Sequence, residues 1–408
     1  MILKLAWRNI WRVKSRSFVV IGAVTIGIWA VLFLVGYMLG TVNTLIKNSI
    51  ENQVSHLQVH HNDFKKDREV KFFMDDVSSS LEQIRTDGTV KGATSRTLVN
   101  GMITAPKGVR GVQIKGIDPG GEASVTSLDD KIVEGSYFDE KTKNPIIIGQ
   151  ELAEKLNIAL RKKVVLTFQD VEGEMTYAAF RIIGFYKTHN STLDELFVYI
   201  PQSKLNDLIG LEGSAHEIAI LLDDLEKADA KRDQWQGAFD EAAQPYLVET
   251  YREIAPDINL YDSQMSISIT IIMSIIMLAL IFGIINTMLM AVMDRYRELG
   301  MLMSIGMNKI RVFSMIMLET IMLSLVALPI GLFAGWATIA YTGMYGIDLS
   351  NYADGLNQFG MSEIIYPSLT GDIYLQLAVM VVTTAILAAI YPAYKAIKLK
   401  PVEAIRKL

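Results

Sequence analysis

The sequence has no cysteine among its 408 residues. Disulfide bonds and thiolate metal sites are therefore excluded, and cysteine usage says nothing about the redox compartment. The sequence also lacks the G-x-x-x-x-G-K-[ST] loop through which many proteins bind ATP. Because H-E-x-x-H and G-x-S-x-G motifs are absent as well, we expect no catalytic residues, no metal ligands and no cofactor in this chain.

Charged residues are missing from several long stretches. Residues 17–46, 263–293 and 373–394 contain no Asp, Glu, Lys or Arg, and residues 312–347 contain only Glu319. A helix needs about 20 apolar residues to cross a bilayer, whereas the apolar region of a cleaved signal peptide has about 7–15. The sequence therefore predicts four transmembrane helices, of which the first is not cleaved.

Basic residues are concentrated in three short segments. Residues 1–16, 294–311 and 395–408 together hold 14 Lys and Arg against 3 Asp and Glu, while the remaining residues hold 25 against 41. Cytoplasmic segments of membrane proteins carry the excess of Lys and Arg. We therefore expect both termini and the 294–311 segment in the cytosol, with a large acidic domain on the other side of the membrane.

The first basic segment, residues 1–16, has five cations and no anion. Its apolar residues Leu3, Trp7, Ile10 and Trp11 recur at helical spacing, which is typical of an amphipathic helix on the membrane surface with lipids as its partner. A nucleic-acid-binding arm is the alternative. The uncharged stretch that follows disfavours it, and we expect no nucleic acid as a partner.

Residues 47–262 form the polar part of the chain, and they alternate between two kinds of pattern. Seven short runs have the apolar or alternating character of strands, and four stretches are amphipathic in the manner of helices. The mixture predicts a large α+β domain. The predicted strands are 56–60, 111–117, 145–148, 163–168, 180–185, 196–200 and 217–222, and the predicted helices are 76–85, 150–157, 203–209 and 225–243.

A charged connector joins the second and third spans. It carries Asp294, Arg295, Arg297 and Glu298, of which Arg295 and Glu298 are three residues apart and can pair on a helix. Gly300 and Gly306 flank an apolar run and predict a break in the helix followed by a second turn. Such a compact element can dock into a groove on a cytosolic partner. An ordinary basic loop is equally compatible with these residues.

The third span contains four residues that are unusual in a membrane helix. Glu319 lies near its cytosolic end, where we favour an interfacial or helix-paired carboxylate over a proton relay. Pro329 predicts a kink, and Gly331 and Gly335, four residues apart, predict a close contact with another helix.

These observations give a domain organisation of nine segments, alternating between cytosol, membrane and exterior. They are a cytosolic amphipathic helix (1–16), the first span with its stalk (17–46), the extracytoplasmic α+β domain (47–262), the second span (263–293), a cytosolic loop (294–311), the third span (312–347), an extracytoplasmic loop (348–372), the fourth span (373–394) and a cytosolic basic tail (395–408).

Four stretches of the sequence resemble one family. They are AWRNIWRVKSRS near the start, DRYRELGMLMSIGM in the connector, LETIMLSLVALPIGLFAG in the third span and YPAYKAIKLKPVEAIRKL at the end. Together with VEGSYF and IIIGQELAEKLNI in the polar domain, they are similar to the permease subunits of type VII ABC transporters. This MacB/FtsX-like group includes the lipoprotein-releasing permeases.

The resemblance implies partners and a mode of action. Residues 294–300 would be a coupling helix that contacts a cytosolic ATPase dimer holding ATP and Mg, with Arg295 and Glu298 at its polar positions and Gly300 at its turn. Two permeases, of the same chain or of related chains, would pair. Stalks at about 41–54 and 258–268 would pass the ATPase cycle to the external domain, a process called mechanotransmission. Met303 and Ser304 depart from the family, which often has a basic residue and alanine there.

Within this group, SHLQVHH after the first stalk looks like the lipoprotein-releasing permeases. That resemblance implies a bacterial inner-membrane protein that extracts lipoproteins from the outer leaflet for a periplasmic carrier or adaptor. MacB-like export of peptides or small amphiphiles is the alternative within the family. A membrane-anchored sensor or scaffold that uses no ATP is the alternative outside it.

Overall fold

The computed structural model describes residues 2–12, 14–139 and 142–398. Among them the chain forms fifteen α-helices and twelve β-strands. The helices are α1 (Ile2–Arg12), α2 (Lys14–Ser49), α3 (Phe64–Asp67), α4 (Val77–Arg85), α5 (Pro119–Thr126), α6 (Gln150–Leu156), α7 (Ser191–Leu196), α8 (Gln202–Ile209), α9 (Ala228–Glu241), α10 (Tyr251–Ile254), α11 (Pro256–Asp294), α12 (Tyr296–Ser304), α13 (Lys309–Tyr345), α14 (Ala353–Gln358) and α15 (Gly371–Ile397). The strands are β1 (Leu57–His61), β2 (Val90–Ala105), β3 (Gly108–Ile117), β4 (Ile132–Gly135), β5 (Pro145–Gly149), β6 (Lys163–Gln169), β7 (Met175–Tyr186), β8 (Phe197–Pro201), β9 (Glu217–Leu222), β10 (Tyr246–Thr250), β11 (Ile347–Asp348) and β12 (Ile364–Ile365).

These elements belong to two compact units. The helical unit comprises Met1–Val42, Asp262–Asp348 and Ile364–Leu408, and the sheet unit comprises Asn43–Tyr261 and Leu349–Glu363. Four helices, α2, α11, α13 and α15, are long and apolar enough to cross a membrane. The four predicted spans and the α+β domain between the first and second are thereby confirmed. The predicted basic tail at 395–408 lies outside the described residues from position 399 onward.

The spans of the helical unit pack through small residues. A side chain at Gly331 of α13 would overlap Ile28 of α2, and one at Gly335 would overlap Leu32. Ile28 and Leu32 are fully buried in an apolar core that α2 shares with the other spans. In the structure α2 and α13 are in close contact at the two glycines, because only glycine lets the two helices approach this closely. Pro329 lies inside α13, and the kink predicted there stays a prediction.

Replacing Gly331 by alanine should lower the thermal unfolding midpoint of the full-length protein in detergent. The added Cβ would lie 2.8 Å from the Cβ of Ile28, which is fixed to its backbone and cannot rotate away. Overpacking of this kind costs about 1–3 kcal/mol. Gly22→Ala in α2 is the matched control, since no atom lies within 4 Å of its added Cβ. Equal midpoints for the two variants would contradict a packing role for Gly331.

The sheet unit is built on a mixed sheet that extends along the order β10-β1-β9-β2-β3-β8-β5-β7-β4, with β6 paired to β2 and β7. The pairs β3–β8 and β5–β7 are parallel and the others antiparallel. All seven predicted strands and all four predicted helices of this domain are confirmed within a few residues. The sequence missed β4, β10 and the 16-residue β2, which bonds to three other strands.

The two faces of this sheet differ in chemistry around β1. Leu57 and Val59 pack with Trp235 and Phe239 of α9 in an apolar core. The opposite face carries a polar row, defined here as Glu249, His60, Glu217, Arg96 and Lys115 on five neighbouring strands. The strand register places His60 opposite Glu217 and Glu217 opposite Arg96, while Lys115 lies opposite Leu98, two residues after Arg96. All five residues of the row are buried.

Candidate functional site

The connector between the second and third spans is the candidate site, and its backbone has two turns. Helix α11 ends at Asp294, and Arg295 adopts a non-helical conformation with φ −102° and ψ 19° before α12 begins. The sequence placed the turn at Gly300, which is wrong, because α12 continues through Gly300 to Ser304. Glycine costs only about 1 kcal/mol inside a helix, and Gly300 and its neighbour Leu299 are buried. The second turn lies at Gly306, whose φ is +101°.

Arg295 holds this connector against the third span. Its Nε donates to Glu298 Oε2 at 3.2 Å, and its Nη1 donates to the two carboxylate oxygens of Glu319 at 3.0 and 3.3 Å. In the structure Arg295 therefore pairs with Glu298, and Glu319 is paired with residues outside its own helix. One guanidinium thus bridges the start of α12 and the N-terminal half of α13.

Two arginines of the N-terminal helices complete the arrangement. Arg12 at the end of α1 makes a bidentate salt bridge with Glu298, with Nη2 at 2.6 Å from Oε1 and Nη1 at 3.0 Å from Oε2. Arg16 in α2 donates from Nη2 to Glu319 Oε1 at 3.4 Å. We call Arg12, Glu298, Arg295, Glu319 and Arg16 the charge cluster; it joins α1, α2, α12 and α13.

Burial divides the charge cluster into an outer pair and an inner group. The side chains of Arg12 and Glu298 are 62% and 38% exposed, whereas those of Arg295 and Glu319 are 14% and 3% exposed. Burial alone would raise the pKa of Glu298, but hydrogen bonds from Arg295 and Arg12 outweigh it and hold that pKa below its ordinary value. Exposed pairs contribute about 0–1 kcal/mol, so within the charge cluster we expect the loss of an inner residue to cost more than the loss of the outer pair.

The connector also has exposed apolar side chains. Met301 is 55% exposed and Ile305 79% exposed, and both follow the charged motif within two helical turns. Asp294 and Arg297 are exposed as well. Large apolar side chains on a short charged helix are typical of a surface that another protein covers. The connector is therefore bound to the spans through the charge cluster and still exposes apolar side chains.

Sequence reasoning found part of this site. It singled out Asp294, Arg295, Arg297, Glu298 and Glu319, of which the structure brings three together in the charge cluster. It assigned Arg12 and Arg16 only to a basic surface segment. Their partners lie 286 and 303 residues away in the chain. A local sequence pattern cannot predict contacts between residues so far apart.

The charge cluster is suited to holding helices together. Its two carboxylates are both paired with arginines. Within the ranges that the structure describes, no group of three or more His, Asp or Glu side chains is arranged to bind a metal ion. What the arrangement can do is transfer a displacement of α12 to α1, α2 and α13.

Comparisons with known proteins give a consistent picture. The family model of the FtsX-like permease C-terminal region matches residues 270–401, and that of the MacB-like periplasmic core domain matches residues 17–238. The lipoprotein-releasing system transmembrane protein LolC of Xylella fastidiosa is 24% identical over 82% of each chain. The uncharacterized ABC transporter permease YvrN of Bacillus subtilis is 23% identical over 99% of this chain and 98% of its own. The crystal structure of the periplasmic region of MacB from Actinobacillus actinomycetemcomitans covers 53% of this chain and 97% of its own, with 15% identity and a TM-score of 0.38.

The two family models together match residues 17–238 and 270–401. The periplasmic core model alone matches more than half of the chain and includes the sheet unit up to α9, while the permease model includes the spans α11, α13 and α15 and the connector. The chain is therefore a member of the MacB/FtsX family of ABC transporter permeases.

Proposed function

We propose that this chain is the membrane subunit of an ABC transporter that extracts lipoproteins from the outer leaflet of the bacterial inner membrane and passes them to a periplasmic carrier or adaptor. The observation that carries the proposal is the similarity to the lipoprotein-releasing protein LolC over most of both chains. In this arrangement both termini and the connector lie in the cytosol. ATP and Mg are bound by a separate ATPase dimer, so this chain hydrolyses no nucleotide.

The connector is the docking element for that ATPase. Its exposed apolar residues Met301 and Ile305 supply the surface that the partner covers. The connector is also bound to α13 and α1 through the charge cluster. A movement imposed on its exposed residues is therefore passed to the spans instead of being absorbed by a flexible loop.

The end of the first stalk is fixed within the sheet unit. Helix α2 continues into a π-helical turn at Ile50–Val54, and Ile50 and Val54 pack with Tyr251 in a small apolar cluster. The ammonium of Lys131 donates to the carbonyl oxygens of Glu51 and Thr126 at 2.9 and 2.7 Å. These bonds favour transmission of force from the stalk to the domain, which is the basis of mechanotransmission.

Export of peptides or small amphiphiles by a MacB-like complex is the second candidate. It is supported by the match of residues 17–238 to the MacB-like periplasmic core domain. It uses the same ATPase docking and the same pairing of two permeases. The two candidates differ in the molecule that enters the space between the paired permeases, and one assay separates them.

The test is a reconstitution of the chain with its ATPase in proteoliposomes that contain a diacylated protein. We expect ATP-dependent transfer of the diacylated protein to a soluble carrier. The variant Met301→Glu/Ile305→Glu should lose both copurification of the ATPase and the transfer, because it places two charges on the docking surface. Loss of an apolar docking surface typically weakens binding by on the order of tenfold or more.

The matched control is Val133→Glu in β4 of the sheet unit, a residue with a similar exposure of 54%. This variant should retain the ATPase. If a peptide or amphiphile is transferred and the diacylated protein is not, the result supports export and contradicts lipoprotein release. An unchanged copurification of the ATPase with the double variant would show that the connector is not the docking element.

A further inference from the structure

The polar row of the sheet unit borders a cavity of about 70 Å³. The cavity lies against the stalk turn, because Val54 and Ile254 line one side of it. The charged and polar groups that line it come from five elements or their ends. The ionisable groups are His60, Lys65, Arg68, Lys115, Glu217 and Glu249, and the amides are Gln58 and Gln113.

The carboxylates at this cavity are already paired. Glu217 accepts from Arg96 Nη1 at 2.6 Å, and Glu249 is bound by Lys65. Arg96 also binds Glu122 through two hydrogen bonds of 2.8 Å. Arg96 is thus shared by Glu122 and Glu217, so these two carboxylates and Glu249 carry three negative charges against the four cations Arg96, Lys65, Lys115 and Arg68. The group keeps an excess of one positive charge.

The remaining cations have no such partner. Lys115 is 5% exposed, and within the described chain its ammonium makes neither a hydrogen bond nor an ion pair, lying 3.9 Å from the centre of the Phe197 ring. Arg68 borders the same cavity and makes no ion pair with any described residue. His60 adds a buried Nδ1 that lacks a hydrogen-bond partner in the described part of the protein.

A buried ammonium without acceptors is unfavourable. Burial lowers the pKa of Lys115 to about 8, which leaves the group mostly protonated at neutral pH. A buried charge is stabilised when an opposite charge and hydrogen-bond acceptors reach it. The cavity beside Lys115 is the place from which such acceptors can approach, and its volume matches roughly two water molecules of about 30 Å³ each or one carboxylate or phosphate group.

We propose that this cavity is a binding site for a small oxyanion, a carboxylate or phosphate group held between Lys115 and Arg68 with His60 at its side. Three donors of the ammonium and the fork of the guanidinium provide charge-assisted hydrogen bonds to such a group. The site is independent of the lipoprotein-release proposal, since it depends only on contacts within the sheet unit. Its position beside Val54 places the bound group at the end of the first stalk.

The test measures the thermal unfolding midpoint of the full-length protein in detergent with sodium acetate, sodium phosphate or glycerol 3-phosphate, each compared with sodium chloride at equal ionic strength. A ligand that binds only the folded state raises the midpoint with concentration. We expect at least one oxyanion to stabilise the wild type. Stabilisation by phosphate but not by glycerol 3-phosphate would show that the natural ligand is a free anion. Stabilisation by both would show that the site accepts a phosphate group carried by a larger molecule.

Two variants and one control locate the effect. Lys115→Met and Arg68→Met should each weaken the response by about tenfold or more, as expected for loss of a charge-assisted hydrogen bond. Arg68 is exposed, so its variant remains informative if Lys115→Met does not fold. Lys163→Met, an exposed lysine of β6, should respond like the wild type. A response that persists unchanged in the Arg68 variant, or no response beyond chloride, would overturn the proposal and leave a cavity filled by water only.

Discussion

Replacing Arg96 by methionine is expected to lower the free energy of unfolding of the sheet unit by about 3–5 kcal/mol. Arg96 is 1% exposed and binds Glu122 and Glu217, which are 2% and 5% exposed. Removing the guanidinium leaves two buried carboxylates without their main partner. A domain is typically stable by only about 5–15 kcal/mol, so this single change removes a large share of the total.

The loss should depend on pH. In the wild type, burial acts to raise the pKa of Glu122, but Arg96 outweighs burial and holds that pKa below its ordinary value of 4.5. The ionised carboxylate therefore stabilises the fold above about pH 4.5, and this contribution is lost as the pH falls through the lowered pKa. Without Arg96, burial dominates and the pKa rises above 4.5. The variant then becomes less stable as the pH rises, and its deficit should be larger at pH 7.5 than at pH 5.

Chemical denaturation of the full-length protein, followed by the circular dichroism of the sheet, measures both effects. Arg232→Met is the matched control, because Arg232 also bridges two acidic residues, Asp233 and Glu253, but does so at the surface. Exposed ion pairs contribute about 0–1 kcal/mol, so this variant should stay close to the wild type. An Arg96 variant as stable as the Arg232 variant at pH 7.5 would contradict the role assigned to the buried triad.

The spans and the connector were predictable because their signals are local. A run of 30 uncharged residues such as 17–46 has few explanations other than a membrane helix, and the charged connector stands out between two such runs. The pairing of Arg295 with Glu298 is an i, i+3 contact, which helical geometry dictates. The turn at Gly300 was predicted wrongly because burial of Leu299 and Gly300 against the spans outweighs the weak helix propensity of glycine.

Strand β2 could not be predicted because its sequence lacks the strand pattern. Gly92, Asn100 and Gly101 disfavour strands, and from Arg96 to Val99 every residue is buried, so no alternation appears. The polar residues of β2 are acceptable in the interior only because partners from α5 and β9 reach Arg96. Those partners are fixed by the tertiary fold, which a local pattern does not contain.

The membrane-surface interpretation of residues 1–16 was also incomplete. Ala6 and Ile10 are fully buried in the helical unit, whereas Leu3, Trp7 and Trp11 are exposed. The exposed aromatic residues remain compatible with the predicted contact to lipid headgroups. The sequence identified the amphipathic pattern, but it did not reveal that the basic residues at the end of α1 and the start of α2 bind carboxylates of the connector and the third span.

Replacing Glu319 by glutamine is expected to uncouple the connector from the spans. Glu319 is the only carboxylate that binds both Arg16 and Arg295 among the described residues. Its neutralisation leaves two half-buried guanidinium groups facing one another, and breaking such a buried pair costs about 3–5 kcal/mol. Arg295 then loses its anchor on α13 and retains only Glu298, which lies on the connector itself.

In the reconstituted complex with the ATPase, the Glu319→Gln variant should reduce transport-coupled ATP hydrolysis by on the order of tenfold or more, which corresponds to about 1.4 kcal/mol of lost coupling. Copurification of the ATPase should persist, because Met301 and Ile305 are unchanged. Arg12→Gln is the matched control within the same charge cluster. It removes the outer pair with Glu298, whose side chains are 62% and 38% exposed, and should change the rate by about twofold or less. Equal rates for the two variants would show that the buried pairs of the charge cluster contribute no more to the coupling than the exposed pair does. In that case α12 is held by its apolar contacts through Leu299 instead.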